Sequence, residues 1–203
     1  MEFRSKEELI KYLSNYKLVE VGIGTEGKCF KTDNKAIKIL NNPLKSNYHK
    51  DRIITKKDIN LDSFLFPEEL YTVNNIVYGY TTEYIEGDIF TKKAPSKIDE
   101  LALLKAYKKI LEDVKALSKN QILIYDISNN LLFNNKELKA IDTLEYSRKD
   151  DSYAKILYAN ETNIKKSISN GLINATGDIS FFDQTDINTI VRKIKLHQTN
   201  IKY

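Results

Sequence analysis

The chain changes its hydrophobic period near residue 86. Before that point, short apolar runs separated by turn residues read as strands; beyond it, apolar positions recur at helical spacing. The opening segment is a helix signal of its own. Ser5-Lys6-Glu7-Glu8 has the form of a capping box, and Leu9, Ile10 and Leu13 supply an apolar stripe, which predicts a short helix over 5–15. KLVEVGI (17–23), GKCFKTD (27–33) and KAIKIL (35–40) predict three strands, with a glycine cluster between the first two and a tight turn at Asp33-Asn34. Asn41-Asn42-Pro43 ends the third, and a helix with a weak apolar pattern is expected over 46–59. After Pro67, LYTVN (70–74) and IVYGYTTEYI (76–85) predict a hairpin through Asn74-Asn75. Together these give an antiparallel sheet of five strands with one helix inserted after the third.

Glu86-Gly87-Asp88 marks the change. Beyond Pro95, Ser96 is placed to cap a long helix over about 97–118, with Ile98, Leu101, Leu104, Ile110, Leu111, Val114 and Leu117 assigned to its apolar face. ILIY (122–125) and LLF (131–133) read as short strands enclosing the polar loop DISNN, and Asn134-Asn135 turns into ELKAID (137–142). Residues 150–203 predict two or three helices, the last marked by Ile187, Ile190, Val191 and Ile194. The fold class expected is α+β, with a strand-rich region at 1–85 and a helical one at 86–203.

Composition narrows the function classes. The 203 residues are 41% hydrophobic and 30% charged, as in an ordinary globular protein. No apolar run is long enough to span a bilayer, and the N-terminal residues lack the apolar core of a signal peptide, so no membrane partner and a cytoplasmic location are expected. The single Cys29 excludes an internal disulfide, and His49 and His197 lie too far apart in sequence to suggest a histidine metal site. A net charge of +4, spread along the chain, leaves room for a phosphate-rich ligand without demanding a nucleic acid. Lys165, Lys166, Arg192, Lys193, Lys195 and Lys202 are basic residues of the C-terminal segment, read as a solvated helix face ahead of a nucleic-acid interface.

Four features carry candidate chemistry. Gly22, Gly24 and Gly27 stand at G-x-G-x-x-G spacing between two strands, either as a flexible hairpin tip or as a turn whose amides close over phosphates. Lys38 stands in an apolar strand, where it either faces solvent or lies beneath the glycine turn. Asp126 and Asn130 bracket the DISNN loop, and Asp142 ends the following hairpin. They are either turn formers or an oxygen-rich set suited to Mg²⁺ together with phosphate oxygens.

The order of these features, in VGIGTEGKCF, AIKIL, EYIEGDIF, YDISNNLLF and AIDTLEYS, resembles the protein-kinase-like superfamily, which includes the aminoglycoside phosphotransferases; the resemblance covers residues 17–146. It implies a compact, atypical bilobal fold with a five-stranded antiparallel N-terminal lobe and a reduced helical C-terminal lobe. It also implies an ATP- and Mg²⁺-dependent phosphotransferase acting on a hydroxyl of an unknown protein or small molecule, with a slight preference for a protein. By this resemblance Gly22, Gly24 and Gly27 cover the ATP phosphates and Lys38 binds the α- and β-phosphates. Glu83, Tyr84 and Ile85 belong to a hinge reaching to Gly87 near the adenine. Val21 and Ala36 touch the base from above and Leu132 from below. Asp126 orients the acceptor and takes its proton, while Asn130 and Asp142 hold Mg²⁺.

The sequence departs from the family pattern at several points. Ile124-Tyr125 replaces the His-Arg pair before Asp126, and the interval to Asn130 is one residue short, which leaves Asn129 as an alternative ligand. Asp142-Thr143-Leu144 lacks the glycine of Asp-Phe-Gly, and no Ala-Pro-Glu follows. No glutamate lies between 41 and 66 to pair with Lys38, which leaves Asp51, Asp58, Asp62 and, less well placed, Glu68 and Glu69. These losses keep a second reading open, a pseudokinase that binds nucleotide or a protein partner without turnover. Nucleic-acid binding stands third.

Overall fold

A computed structural model describes residues 1–44, 48–92, 97–181 and 186–200, with Ala175, Ile187 and 197–200 described by their backbone. The chain divides into two compact units, one formed by Met1–Asn60 and Leu65–Ile85, the other by Leu61–Phe64 and Glu86–Tyr203.

The first unit is a six-stranded sheet with one helix. In chain order it contains β1 (Glu2–Phe3), α1 (Lys6–Leu13), β2 (Val19–Ile23), β3 (Gly27–Thr32), β4 (Lys35–Leu40), β5 (Glu69–Val73) and β6 (Ile76–Glu83). The sheet order is β1-β5-β6-β4-β3-β2. The five antiparallel strands expected from the sequence are present. The sixth, β1, is a two-residue strand that pairs in parallel with β5, too short to leave a period in the sequence. Tight turns explain the antiparallel register. Asp33 (φ 47°) joins β3 to β4, and Asn74 (φ 51°) with Asn75 (φ 64°) joins β5 to β6. Asn and Asp tolerate this left-handed backbone better than other non-glycine residues.

Strand alternation sorts β4. Ile37 and Ile39 face α1, where Phe3, Leu9, Ile37, Tyr71 and Val73 form a core with Tyr12, Leu13 and Tyr78 packed on it. Ala36, Lys38 and Leu40 therefore share the opposite face. The α1 cap is a modified capping box. The Ser5 hydroxyl accepts from Glu8 N–H at 3.3 Å, while Glu8 Oε2 accepts from Arg4 N–H at 2.7 Å, one residue upstream of the usual partner. The helix expected over 46–59 is not formed among the described residues, of which 46 and 47 are not part. His49 bridges Ile76, a single 3₁₀ turn covers Lys50–Arg52, and Asp58 ties down Thr55 through its amide and hydroxyl. The weak apolar period there reflects side chains buried from an irregular backbone, Tyr48, Ile53 and Ile54 among them.

The second unit contains β7 (Asp88–Ile89), α2 (Glu100–Lys119), β8 (Ile122–Leu123), β9 (Leu131–Phe133), β10 (Leu138–Ala140), β11 (Ser147–Arg148), α3 (Tyr153–Thr176) and α4 (Ile187–Asn200). β10-β9-β7 form one small sheet and β11-β8 another. Pro95 and Ser96 lie outside the described residues; the cap of α2 is Asp99, whose carboxylate accepts from Ala102 N–H at 2.9 Å. Its buried face is Leu103, Ala106, Tyr107, Ile110, Val114 and Leu117, while Leu101, expected inside, is 62% exposed. The run Leu101-Ala102-Leu103-Leu104 offers apolar residues at every angle, and the face carrying Tyr107 and Ile110 is the one buried. The segment 61–64 belongs here because Asp113, buried on α2, accepts from Ser63 N–H at 2.9 Å and from the Lys109 ammonium at 2.7 Å. Ala140 N–H donates to Ser63 O at 2.7 Å. No helix of the described residues is long and apolar enough to cross a membrane.

The glycines of the β2–β3 turn divide by cause. A Cβ at Gly27 would sit 2.2 Å from Ile39 O on β4, whereas at Gly24 and Gly22 the nearest atoms lie at 3.8 and 4.0 Å. Gly27→Ala should therefore destabilise the chain by about 2 kcal/mol or more, whereas Gly24→Ala should leave stability unchanged or raise it by up to about 1 kcal/mol. Urea unfolding of the two variants checks this, and equal losses would contradict it.

Candidate functional site

The site residues fall into two groups, one in each unit. In the first, β2 and β3 close a turn whose Gly24 N–H donates to Gly27 O at 2.9 Å. Asn41, just past β4, fastens the tip from the other side, with its amide donating to Glu26 O at 2.8 Å and its side chain to Thr25 O at 3.3 Å. A freely flexible hairpin tip is therefore not what the sequence builds. Gly22 lies within β2, opposite Cys29, beside a bulge between Glu20 and Gly22.

Lys38 lies in β4 opposite Cys29 on β3 and Tyr80 on β6. Its side chain is 8% exposed, which excludes the solvent-facing alternative. An ammonium so placed loses most of its hydration and needs a carboxylate nearby. That carboxylate comes from the turn itself: Glu26 Oε2 is 3.4 Å from Lys38 Nζ. Its other oxygen accepts from the buried Tyr48 hydroxyl at 3.0 Å. The acidic residues considered from sequence are occupied elsewhere. Asp51 is beside His49, Asp62 pairs with Lys109, and Glu68 bridges Lys35 and Lys56. The two lysines hold the Glu68 carboxyl below its ordinary value, although its partial burial, the largest influence, pushes the other way. Glu69 is an exposed position of β5.

Val21 stands on the edge strand β2, 46% exposed, and Ala36 is half-buried on the Lys38 face of β4. At the end of β6, Tyr84 N–H donates to Asn34 O at 2.9 Å, continuing the β4–β6 ladder. Antiparallel alternation then turns the backbone groups of Glu83 away from β4. The Tyr84 ring carries the Lys31 ammonium 4.3 Å from its centroid.

In the second unit, Leu132 on β9 presses on the chain at Gly87. A Cβ there would lie 2.4 Å from Leu132 Cδ2, so a larger residue would push the Leu132 side chain aside. The other three residues meet around one hairpin. Asp126 (φ 41°) and Asp142 (φ 59°) both take left-handed backbone. Asn130 joins them: its side-chain amide donates to Asp126 O at 2.8 Å, and its carbonyl accepts from Ile141 N–H, next to Asp142, at 2.8 Å. Beneath lies the Tyr146 hydroxyl. Burial raises its pKa far above the ordinary phenol value, and the charges of Asp142 and then Asp126 add to the shift. Both carboxylates are thus within electrostatic reach of one buried group. Among the described residues no three His, Cys, Asp or Glu cluster as a metal cage. Two oxygen donors, Asn130 Oδ1 and the Asp142 carboxylate, suit a cation that draws its other ligands from phosphate and water.

Sequence reasoning missed what holds this loop. Asn160 on α3 is fully buried. Its Oδ1 accepts from Ile124 N–H at 2.8 Å, and its Nδ2 donates to Ile122 O at 2.8 Å and Ser118 Oγ at 3.0 Å. Asn163 donates to Ile124 O at 3.0 Å and Ser167 to Ile127 O at 3.4 Å. Positions 160, 163 and 167 share one helical face, so α3 grips the backbone on both sides of Asp126. The signal was present: Asn160 interrupts the apolar series Ile156, Ile164, Ile168, and a polar residue there needs buried partners. Tyr125, at the position of the missing arginine, instead meets the Lys149 ammonium 5.6 Å from its ring centroid.

Lys165 pairs with Glu161, Lys195 with Glu100, and Lys193 donates to Ser180. Three of the five described basic residues noted near the C-terminus thus have these partners within the unit; Lys202 lies outside the described residues.

No protein-family model matches the chain, and no curated protein does. Solved structures do. One, the crystal structure of Rad53 1-466 in complex with AMP-PNP, superposes with a TM-score of 0.61 at 12% identity, over 90% of this chain. The fold is protein-kinase-like. The chain spans about 61% of the length of that kinase chain. In this kinase-like fold, the glycine turn and Lys38 belong to the strand-rich unit and Asp126, Asn130 and Asp142 to the helical one.

Asn160→Ala leaves Ile124 N–H and Ile122 O without their buried partner, which should cost about 2–4 kcal/mol. Hydrogen exchange at the Ile124 amide should speed up correspondingly. Unchanged exchange and unchanged unfolding would show that the α3 contacts do not hold the loop.

Proposed function

We propose that the chain is an ATP- and Mg²⁺-dependent phosphotransferase that moves the γ-phosphoryl group to a hydroxyl of a protein or small molecule. The observation that carries this reading is the gathering of Asp126, Asn130 and Asp142 around one hairpin of a kinase-like fold. The AMP-PNP held by the Rad53 structure supports ATP as the nucleotide.

Each residue has a role its surroundings support. Gly22 and Gly24 leave space that no atom of the fold needs, which suits close approach of phosphates. Gly24 N–H is spent on Gly27 O, so other amides of the turn meet the phosphate oxygens. Lys38 offers its ammonium to the α- and β-phosphates. Val21, Ala36 and Leu132 supply apolar contacts to the base. Because Tyr84 N–H is bonded to Asn34 and Glu83 O accepts from the Thr82 hydroxyl at 3.2 Å, the adenine edge would meet Ile85 and the remaining backbone groups of Glu83 and Tyr84.

Asp126 orients the acceptor hydroxyl and receives its proton as the acceptor oxygen bonds to the γ-phosphorus and the bond to the β–γ bridging oxygen breaks. Asn130 Oδ1 and the Asp142 carboxylate would hold Mg²⁺, which when bound supplies positive charge to the phosphate oxygens. The Asn130 amide, tied to Asp126 O, keeps its oxygen turned away from that carbonyl.

One observation favours the second reading, a nucleotide-binding pseudokinase. Asp142 leads directly into a 3₁₀ turn at Thr143–Glu145, without a glycine pivot after it. Incubation with γ-labelled ATP and Mg²⁺ separates the two. Transfer to the protein or to an added lysate fraction should appear, fall roughly 100-fold or more in Asp126→Ala, and stop when EDTA removes the metal. Tight ATP binding with no transfer in the wild type would establish the nucleotide-binding pseudokinase, and no binding would remove the phosphotransferase and leave only a protein-binding pseudokinase.

A further inference from the structure

We infer that Glu26, fixed by Tyr48, is the positioning residue for Lys38: the glycine turn itself supplies the carboxylate that aims the phosphate-binding ammonium. This rests on the nucleotide reading above and extends it to two residues with no role so far. The two carboxylate oxygens have separate tasks. Oε1 accepts from the Tyr48 hydroxyl at 3.0 Å and Oε2 faces Lys38 Nζ at 3.4 Å. Tyr48 is 1% exposed, so its hydroxyl is a fixed donor and not a solvated side chain that finds Glu26 by chance.

The backbone beneath Glu26 is fixed as well. The turn is closed by Gly24 N–H on Gly27 O, and Asn41 holds the carbonyls of Thr25 and Glu26. A carboxylate on so anchored a tip is directed at residue 38 before any ligand arrives. A latch that swings aside for phosphate would have to give up the Tyr48 hydroxyl. Glu26 therefore acts as a preset counter-charge. It limits the directions open to the Lys38 ammonium, so that the lysine is oriented before phosphate oxygens arrive. The segment after β4 contributes Tyr48 in place of an acidic residue, which accounts for the absence of glutamate there.

The test is titration of a fluorescent ATP analogue with Mg²⁺ into wild type, Glu26→Gln, Tyr48→Phe, Lys38→Met and the Lys38→Met/Glu26→Gln double variant, each checked for folding by circular dichroism. Glu26→Gln should weaken binding about tenfold and Tyr48→Phe about threefold. In the Lys38→Met background Glu26→Gln should add no further loss, a non-additivity that a merely structural role would not produce. In the transfer assay, KM for ATP should rise by more than kcat falls, because a grip on the α- and β-phosphates acts before and during transfer alike. If Glu26→Gln does not fold, Tyr48→Phe carries the test. Wild-type binding with unchanged or tighter binding in Glu26→Gln, or the same loss with and without Lys38, would overturn the role. A wild-type chain that takes no analogue removes the nucleotide reading and this role with it.

Discussion

The strand-rich unit is organised around one electrostatic constraint: the Lys38 ammonium is taken out of water and must be matched. The match explains features that otherwise look unrelated. It requires the β2–β3 turn to be short and tied down, because Glu26 reaches Lys38 only from a fixed tip. It requires a buried hydroxyl at Tyr48, because a carboxylate with one partner leaves its second oxygen poorly solvated. It also makes the irregular segment after β4 part of the site, since the packing of that segment sets where the Tyr48 hydroxyl points. An apolar residue at 38 would pack more cheaply, so the retained charge argues for a task beyond folding.

The helical unit solves a complementary problem with neutral groups. The loop that carries the left-handed Asp126 has few backbone bonds of its own and must borrow them. α3 lends them through Asn160, Asn163 and Ser167. These amides and hydroxyls hold the loop without adding a formal charge of their own.

Much of this was legible in the sequence. Alternation in KCFKTD and KAIKIL, with Asp33-Asn34 between them, fixed a register in which each side chain's face is decided by parity. Asn74-Asn75 set the hairpin of β5 and β6, in which an irregularity between Tyr71 and Thr72 interrupts the parity. The parts that escaped have local causes. β1 has only two residues and is held by pairing to β5, a contact far away in sequence. Residues 48–59 bury apolar side chains from an irregular backbone, so their pattern imitates a weak helix. On α2, consecutive apolar residues left the face undetermined at Leu101. Within the site, Glu26 carried no mark beyond lying in a glycine turn, and the resemblance pointed downstream, to 41–66, for the partner of Lys38. The carboxylate was twelve residues upstream, brought close by the antiparallel return of β3 and β4.

That same return gives the G-x-G-x-x-G spacing two different explanations. Gly27 answers to the fold, because β4 passes so closely that no side chain fits. Gly22 and Gly24 have no positive φ and no crowding atom, yet glycine weakens a strand and an ordered turn through the backbone entropy it loses. A position that costs stability and meets no need of the fold points to a need outside it, and close approach of a ligand to the backbone is the need that glycine meets best. The turn therefore combines one residue that the sheet demands, two that a ligand would demand, and one carboxylate that serves the lysine beneath. A ligand seated there would touch the backbone at the first two glycines while leaving the Gly27–β4 contact undisturbed.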